Sequence, residues 1–203
     1  MKSQDSNQYY DHHALRLREV WKSHKSKADL SPFLQSIERN GRILDLGCGT
    51  AQDLSWFVEL GFRGVGLDAS AEMVRLAREQ FPGLEIQHKN FLLLSLEPES
   101  YDAVWANESW VHQTPEEIQR VAAVCFKGLK PGGVLGVTLF EGSGTFEDRE
   151  GDLTGPARSI HLFTEKQIST LLEQTGFQIL RVGRKPPETS SGFYKMLILA
   201  KRV

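Results

Sequence analysis

The residues whose types and spacing could do chemistry begin with a glycine-rich turn. Gly47 and Gly49 stand in the segment Ile43-Leu44-Asp45-Leu46-Gly47-Cys48-Gly49-Thr50-Ala51, and glycines let a backbone turn sharply and approach a ligand without Cβ obstruction. A helix that starts directly after the turn would offer free N–H groups. Asp68 follows nineteen residues after Gly49, at the end of a second apolar run, where its carboxylate could accept both hydroxyls of a ribose. The pattern therefore predicts a site for a ribose-containing ligand.

Two common nucleotide-binding patterns are incomplete in this turn. The dinucleotide fingerprint G-x-G-x-x-G needs a third glycine, and Gln52 occupies that place. A diphosphate-binding P-loop is absent because no Gly-Lys-Ser/Thr follows. Asp45 would repel a pyrophosphate but suits a ligand with a positively charged end. The turn thus disfavours a nicotinamide-dependent oxidoreductase, which stays an alternative function.

Several other side chains are candidates for proton transfer or for contact with a cation. His112 follows the fourth expected strand and is the best general-base candidate, with Glu108 as a second. Each could equally be a polar residue that lines the site or caps a helix, because positioning alone can drive some group transfers. The aromatic residues that could cover a cationic ligand, or else pack in the core, are Tyr9, Tyr10, Trp105 and Trp110.

Composition and charge narrow the class of protein. The chain has 203 residues, which suits one domain, and no apolar run approaches the ~20 residues that a membrane helix needs. The N-terminus lacks the apolar core of a signal peptide, and only two cysteines occur, Cys48 and Cys125, so we expect a cytoplasmic protein without disulfides. The net charge of −2 gives no basic field for nucleic acid. The adjacent His12 and His13 lack further ligands at metal-binding spacing, so no metal is expected.

The elements that must position these residues alternate between strand and helix from Arg42 onward. Apolar runs predict strands over 43–46, 65–68, 85–89, 101–106, 134–140, 179–182 and 194–201. Helices are predicted over 51–60 and after caps at Ser70, Thr114 and Thr164, whereas residues 141–161 read as a glycine-rich, charged loop. This alternation predicts a doubly wound α/β fold with a mainly parallel sheet, whose ligands sit beyond the carboxyl ends of the strands.

The first 40 residues differ from this alternating pattern. Residues 14–21 have apolar positions at helical spacing, and a polar stretch follows over 22–27. A second helical piece follows, with Ser31 as a possible N-cap and Pro32 in its first turn. We therefore expect an N-terminal helical segment, residues 1–40, that forms a lid over the main domain, residues 41–203.

Four segments, in this order, resemble the motifs of the class I S-adenosylmethionine-dependent methyltransferases of the small-molecule, type 11/12-like kind. They are the glycine turn, Gly64–Met73, Tyr101–His112 and Leu129–Leu135. Their order and spacing match from about Arg42 to Phe140. The resemblance implies a Rossmann-like, seven-stranded sheet of order 3-2-1-4-5-7-6 with an antiparallel last strand. It also implies S-adenosyl-L-methionine as the cofactor.

The resemblance implies a role for each matched position. Gly47 and Gly49 would border the methionine part of the cofactor, and Asp45 would lie near its ammonium group. Asp68 would hold the ribose hydroxyls. Asn90 stands where the family usually has an acid that receives the adenine amino group, so it is a weaker acceptor or a plain turn residue. The remaining residues expected around the cofactor are Cys48, Ala69, Met73, Phe91, Ala106 and Asn107.

The acceptor side is expected to be built from His112, Trp110, the loop over 141–161 and the N-terminal segment. The acidity of this loop disfavours a nucleic-acid phosphate chain, so a small-molecule substrate is expected, on a monomer or homodimer without nucleic-acid or membrane partners. The cationic side chains over 22–27 could contact an anionic acceptor or form a solvated face. A catalytically silent relative that only binds the cofactor is the second alternative function.

Overall fold

The computed structural model describes residues 4–24, 30–149, 155–187 and 192–203. Within these residues the helices are α1 (Gln4–His24), α2 (Ser31–Leu34), α3 (Gln52–Glu59), α4 (Ala71–Gln80), α5 (Pro115–Gly128) and α6 (Glu165–Gln174). The strands are β1 (Arg42–Leu46), β2 (Arg63–Asp68), β3 (Glu85–His88), β4 (Tyr101–Asn107), β5 (Leu129–Glu141), β6 (Gly144–Asp148), β7 (Arg158–Phe163), β8 (Phe177–Lys185) and β9 (Lys195–Arg202). Short 3-10 turns span Phe91–Leu93 and Trp110–His112.

The sheet has the predicted Rossmann-like order. Strands β3, β2, β1, β4 and β5 are neighbours in that order and pair in parallel. Strand β9 then pairs antiparallel with β5 and with β8. The sequence-predicted strands therefore follow each other as 3-2-1-4-5-7-6, and the mainly parallel α/β fold with an antiparallel last strand is confirmed.

The central strands are apolar on both faces because helices cover both sides of the sheet. In β1, Leu44 and Leu46 belong to one buried cluster, whereas Ile43 belongs to a second cluster on the opposite face. Successive strand residues point to opposite faces, so a continuous apolar run is what a parallel sheet between two helical layers requires. A third cluster packs α1 onto α4 through Leu17 and Met73.

The predicted helix starts are confirmed by their side-chain caps. The Ser70 hydroxyl accepts the backbone N–H of Met73 at the start of α4. Thr114 and Thr164 both form capping boxes, with Glu117 and Gln167 at the third helical positions. The start of α2 differs, because Leu30 is its N-cap and Ser31 is the first helical residue.

Two sequence predictions need correction. The region 141–161, predicted as a loop, contains the antiparallel hairpin strands β6 and β7, so the sheet has nine strands in the described residues and not seven. The glycines and charged residues of this segment leave no apolar strand pattern in the sequence. The two strands are ordered by hydrogen bonds to each other, and each buries few side chains. Strand β5 also begins earlier than predicted, at Leu129, since Leu129 pairs with Tyr101 ahead of a bulge.

The N-terminal region is more regular than its sequence suggested. Helix α1 is continuous from Gln4 to His24 and includes the predicted helical stretch 14–21. The end of the polar stretch, residues 25–27, lies outside the described residues. Among the described helices, none is long and apolar enough to cross a membrane.

Candidate functional site

A cavity of about 710 Å³ opens at the carboxyl ends of the parallel strands. Its first part, which we call the glycine-turn half, is lined by Gly47, Cys48, Gly49, Asp68, Ala69, Met73, Asn90 and Phe91. Its second part, the His112 half, is lined by Tyr10, Val111, His112, Gln113, Phe146, Asp148 and Arg158. Asn107 and Glu108 also line the cavity wall. One continuous space thus joins most of the residues that the sequence singled out.

The glycine turn has a backbone that other residues adopt only with strain. Gly47 and Gly49 have φ angles of 74° and 54°. A Cβ on Gly47 would lie 2.3 Å from the Ser109 Cβ, and a Cβ on Gly49 would lie 2.8 Å from the Trp21 ring. The N–H groups of Gly47 and Cys48 donate to the Leu67 carbonyl at 2.8 and 3.0 Å, which ties the turn to β2. Both glycines are therefore required by conformation and by close packing.

Asp68 lies at the end of β2 and is clamped by backbone amides. One carboxylate oxygen accepts the N–H of Gly49 and the other accepts the N–H of Ser70, both at 2.8 Å. Burial raises the pKa of this carboxyl, and the two amides partly offset that effect. Each carboxylate oxygen can accept a second hydrogen bond, so the group remains able to hold two hydroxyls.

The part of the cavity where the resemblance places the adenine is lined by residues that follow β2 and β3. Ala69, Met73, Asn90 and Phe91 all line the cavity, as the resemblance implied. The Asn90 side-chain oxygen accepts the Leu92 N–H at 2.9 Å, so this residue is a turn residue as well as part of the wall. The same oxygen has a second lone pair that a ligand amino group could use.

Two expected cofactor residues lie behind the wall of the cavity. Asp45 and Ala106 are buried in β1 and β4, with 2% and 0% of their surface exposed, and neither lines the space. Asn107 does line it and donates to the Asp53 carboxylate at 2.8 Å, which also accepts the Trp105 indole N–H at 3.0 Å. Asp53 was not singled out from the sequence, although an acid in the first turn of a helix behind a glycine turn is a recognisable signal.

His112 is buried beside the cavity and holds two hydrogen bonds. Its Nδ1 lies 2.7 Å from the Ser159 carbonyl oxygen, and its Nε2 lies 2.7 Å from the Tyr10 hydroxyl. Burial lowers its pKa to about 4, and the nearby Arg158 cation adds to this effect. The imidazole is therefore neutral at physiological pH.

Arg158 also forms a hydrogen bond with the Tyr10 hydroxyl. Its guanidinium donates to the Tyr10 oxygen at 3.0 Å and to the Asp148 carboxylate at 2.7 and 2.9 Å. The same group lies over the ring of Tyr9, 4.7 Å from its centroid. These contacts join α1 to the β6–β7 hairpin across the cavity. Trp110, which was expected in the acceptor pocket, is instead fully buried in the core and does not line the cavity.

Helix α1 also covers the glycine-turn half. Asp11 accepts the Ser70 hydroxyl at 2.6 Å and the Glu72 N–H at 3.1 Å, next to the residues that follow Asp68. Trp21 lies directly above Gly49. Tyr9 is fully buried in the cluster between α1 and α4, whereas Tyr10 lines the cavity. Core packing and cover of the site were the two roles predicted for these tyrosines. Tyr9 packs in the core, and Tyr10 is placed to cover the cavity.

Part of the chain is similar in sequence to known methyltransferases. Residues 43–133 match the model of a family described as a methyltransferase domain. A sterol 24-C-methyltransferase of Candida albicans is 26% identical over 160 residues, which are 71% of this chain and 42% of that protein. A trans-aconitate 2-methyltransferase of Rhodopseudomonas palustris is 34% identical over 102 residues, which are 48% of this chain and 38% of that protein. The chain thus spans less than half of the length of either relative.

A solved structure shares the fold over nearly the whole chain. The crystal structure of the 1,6-didemethyltoxoflavin-N1-methyltransferase of Burkholderia thailandensis, with bound 1,6-didemethyltoxoflavin and S-adenosylhomocysteine, has a TM-score of 0.77. It is 21% identical and covers 99% of this chain and 88% of that chain. Residues 43–133 therefore match a methyltransferase domain, and the sheet of the chain has the fold of S-adenosylmethionine-dependent methyltransferases.

Proposed function

We propose that this protein transfers the methyl group of S-adenosylmethionine to a small-molecule acceptor. The observation that carries the proposal is the single cavity of about 710 Å³ that joins the glycine-turn half to the His112 half. Small-ligand sites range from roughly 300 to 1,000 Å³, so the cavity suits a nucleoside cofactor beside a small acceptor. The acceptor then lies in the His112 half, against the β6–β7 hairpin.

The residues of the glycine-turn half fit the cofactor. Asp68 holds the ribose hydroxyls, Ala69 and Met73 flank the adenine, and Asn90 accepts from its amino group. Gly47 and Gly49 line this half, so their backbone can lie close to the methionine part. Asp45 and Ala106 lie behind the wall of the cavity, so we do not propose them as contacts of the cofactor.

The chain contributes to the reaction mainly by positioning. S-adenosylmethionine supplies a methyl group on a positively charged sulfur, and transfer needs the nucleophile, carbon and sulfur in line. Such alignment supplies roughly 7–11 kcal/mol of a barrier. The β6–β7 hairpin and α1 supply it here, because they fix Tyr10, His112 and Arg158 against one another and exclude water.

The charges around the acceptor half support a small acceptor over a nucleic acid. Arg158 is paired with Asp148, and Lys195 is paired with Glu108 at 2.6 Å. These ion pairs neutralise Arg158 and Lys195, so neither cation is a free contact for a phosphate chain. The names of the relatives span a sterol, a tricarboxylic acid and a heterocycle, so they support the reaction class and no single acceptor.

Label transfer tests the proposal. Incubation with S-adenosylmethionine labelled in its methyl group and a low-molecular-weight cell extract should move the label into a small molecule. Binding of S-adenosylhomocysteine without any transfer would instead favour a silent cofactor-binding protein. A fluorescence titration with NADH serves as the control for the oxidoreductase alternative, and we expect no binding.

We also propose that α1, within the segment 1–40, is a lid that opens for exchange of cofactor and product. Its contacts to the body are the two polar clusters around Asp11 and Tyr10 and the Trp21 ring above Gly49. A cofactor in the glycine-turn half would lie beneath this helix. Lids of this kind close to exclude water and open to release product.

Proteolysis measures lid opening. S-adenosylhomocysteine should slow tryptic cleavage after Arg16 and Arg18 in α1, because ligand binding stabilises the closed state. Asp11→Ala should speed cleavage about fivefold without ligand, since it removes hydrogen bonds between α1 and the start of α4 that are worth ~1 kcal/mol. Gln8→Ala, an exposed change on the same helix, is the control and should leave the rate unchanged. Equal rates with and without S-adenosylhomocysteine would contradict a lid.

His112 is expected to position the site rather than to accept a proton. Its Nε2 already binds Tyr10, and its pKa of about 4 makes it a weak base. We expect His112→Gln to lower turnover less than about tenfold, because the positioning that remains carries most of the rate. His112 stays neutral above pH 5. The pH–rate profiles of His112→Gln and of the unaltered protein should therefore have the same shape above that pH. A hundredfold loss together with the disappearance of an acidic limb would make His112 the general base.

A further inference from the structure

The donors and acceptors of the hydrogen bonds around Tyr10 point to the chemistry of the molecule that receives the methyl group. We infer that Tyr10 contacts the methylated atom and selects an uncharged nitrogen that carries hydrogen and a free lone pair, such as a primary or secondary amine. The inference rests on the proposed function and names the nucleophile of the same site. It follows from which atoms can donate and which can only accept.

The tautomer of His112 fixes the direction of the Tyr10 hydrogen bond. The Ser159 carbonyl oxygen can only accept, so the Nδ1 atom 2.7 Å away carries the proton. The imidazole is neutral because it is buried near Arg158, so Nε2 has a lone pair and no proton. The Tyr10 hydroxyl, 2.7 Å from Nε2, therefore donates its hydrogen to His112.

Arg158 then determines what the Tyr10 oxygen offers to a ligand. A phenol oxygen has one hydrogen and two lone pairs. The hydrogen goes to His112, and Arg158 donates to one lone pair at 3.0 Å, held in place by Asp148. Among the residues that the structure describes, these are the hydrogen-bond partners of the hydroxyl. Tyr10 lines the cavity, so its oxygen presents a lone pair that can only accept a hydrogen bond.

The Tyr10 acceptor favours nitrogen over oxygen and sulfur nucleophiles. A carboxylate or a thiolate brings no hydrogen and would place its charge against the lone pair of the Tyr10 oxygen. A hydroxyl must lose its proton during transfer, and His112 is too weak a base to take it. An uncharged nitrogen can donate its hydrogen to Tyr10 and keep its lone pair for the methyl carbon. The N–C bond forms, the C–S bond breaks with its electrons on sulfur, and the extra proton leaves the methylated nitrogen for water.

The first arm of the test needs no acceptor. Nitrogen NMR of protein labelled in its histidines should show His112 at pH 7 with a proton on Nδ1 alone. In Tyr10→Phe the Nε2 resonance should move toward that of an imidazole nitrogen without a hydrogen bond, while Tyr194→Phe, a half-exposed tyrosine outside the cavity wall, leaves it in place. A proton on Nε2 would overturn the inference, because Tyr10 could then donate to an anionic nucleophile.

The second arm identifies the methylated atom. S-adenosylmethionine with a carbon-13 methyl group is incubated with a low-molecular-weight extract, and the methyl shift of the product should be that of an N-methyl group. Tyr10→Phe should lower kcat/KM about tenfold, the value of one hydrogen bond, and should weaken S-adenosylhomocysteine binding much less, because the Asp11 and Trp21 contacts of α1 remain. Tyr194→Phe should match the unaltered protein in both measurements.

The outcomes separate this inference from the proposed function. A label on oxygen, sulfur or carbon upholds methyl transfer and overturns the choice of nitrogen. Full kcat/KM in Tyr10→Phe overturns the contact of Tyr10 with the acceptor. A protein that binds S-adenosylhomocysteine and labels nothing contradicts the proposed function, and the inference with it.

Discussion

Gly49→Val is expected to weaken cofactor binding by roughly 100-fold or more, about 3 kcal/mol on the affinity scale. Gly49 has a φ of 54°, where a β-branched residue is strained, and a Cβ there would lie 2.8 Å from the Trp21 ring. The valine side chain would also fill the space through which the backbone approaches the ligand. Calorimetric titration with S-adenosylhomocysteine measures the loss directly.

A second glycine controls for backbone strain in this experiment. Gly132 also has a positive φ, 79°, but it stands near the start of β5, where a Cβ would meet the Lys201 side chain at an ordinary 3.5 Å. Gly132→Val should lower the melting temperature by a similar amount and leave the affinity for S-adenosylhomocysteine unchanged. Equal affinities in Gly49→Val and Gly132→Val would remove the glycine turn from the cofactor site.

The features that the sequence predicted are those set by neighbours along the chain. The caps at Ser70 and Thr114 depend on residues three positions away, and the glycine turn depends on the backbone of Gly47 and Gly49 themselves. The family resemblance then supplied the strand order, which no local pattern determines. This is why the core sheet and the place of Asp68 could both be predicted.

The features that the sequence did not predict depend on contacts between distant segments. The hydrogen bond of Tyr10 to His112 joins residues 102 positions apart, and that of Arg158 to Tyr10 joins residues 148 apart. Nothing near Tyr10 in sequence indicates which residue receives its hydroxyl. The β6–β7 hairpin was missed for the same reason, because β6 gains its order from pairing with β7.

Asp68→Ala is expected to weaken binding of S-adenosylhomocysteine by about 1.5–3 kcal/mol, roughly 10- to 150-fold. In the proposed site the carboxylate offers a lone pair to each ribose hydroxyl, and in the structure it accepts the N–H groups of Gly49 and Ser70 at 2.8 Å. Alanine removes the ligand contact and releases the turn that borders the methionine part. The affinity should therefore fall more than one lost hydrogen bond would explain.

Asp102→Ala is the matched control for this change. Asp102 likewise accepts a backbone N–H, that of Arg42 at 2.7 Å, and it pairs with Lys130 at 2.7 Å. It does not line the cavity. Its loss should therefore lower the stability of the fold and leave the affinity for S-adenosylhomocysteine unchanged.

The pH dependence of S-adenosylhomocysteine binding separates the contribution of the Asp68 charge from the contribution of its side-chain shape. Burial raises the pKa of this carboxyl, so it takes up a proton at a higher pH than an ordinary aspartate as the solution is acidified. A protonated carboxyl loses acceptor capacity, and the affinity for S-adenosylhomocysteine should fall as the pH drops through that raised value. In Asp68→Asn, which cannot ionise, this part of the decline should disappear and the affinity at neutral pH should already be reduced. An Asp68→Ala protein that binds as tightly as the unaltered protein would exclude Asp68 from the ribose contact, and a pH dependence that persists in Asp68→Asn would assign the decline to another group.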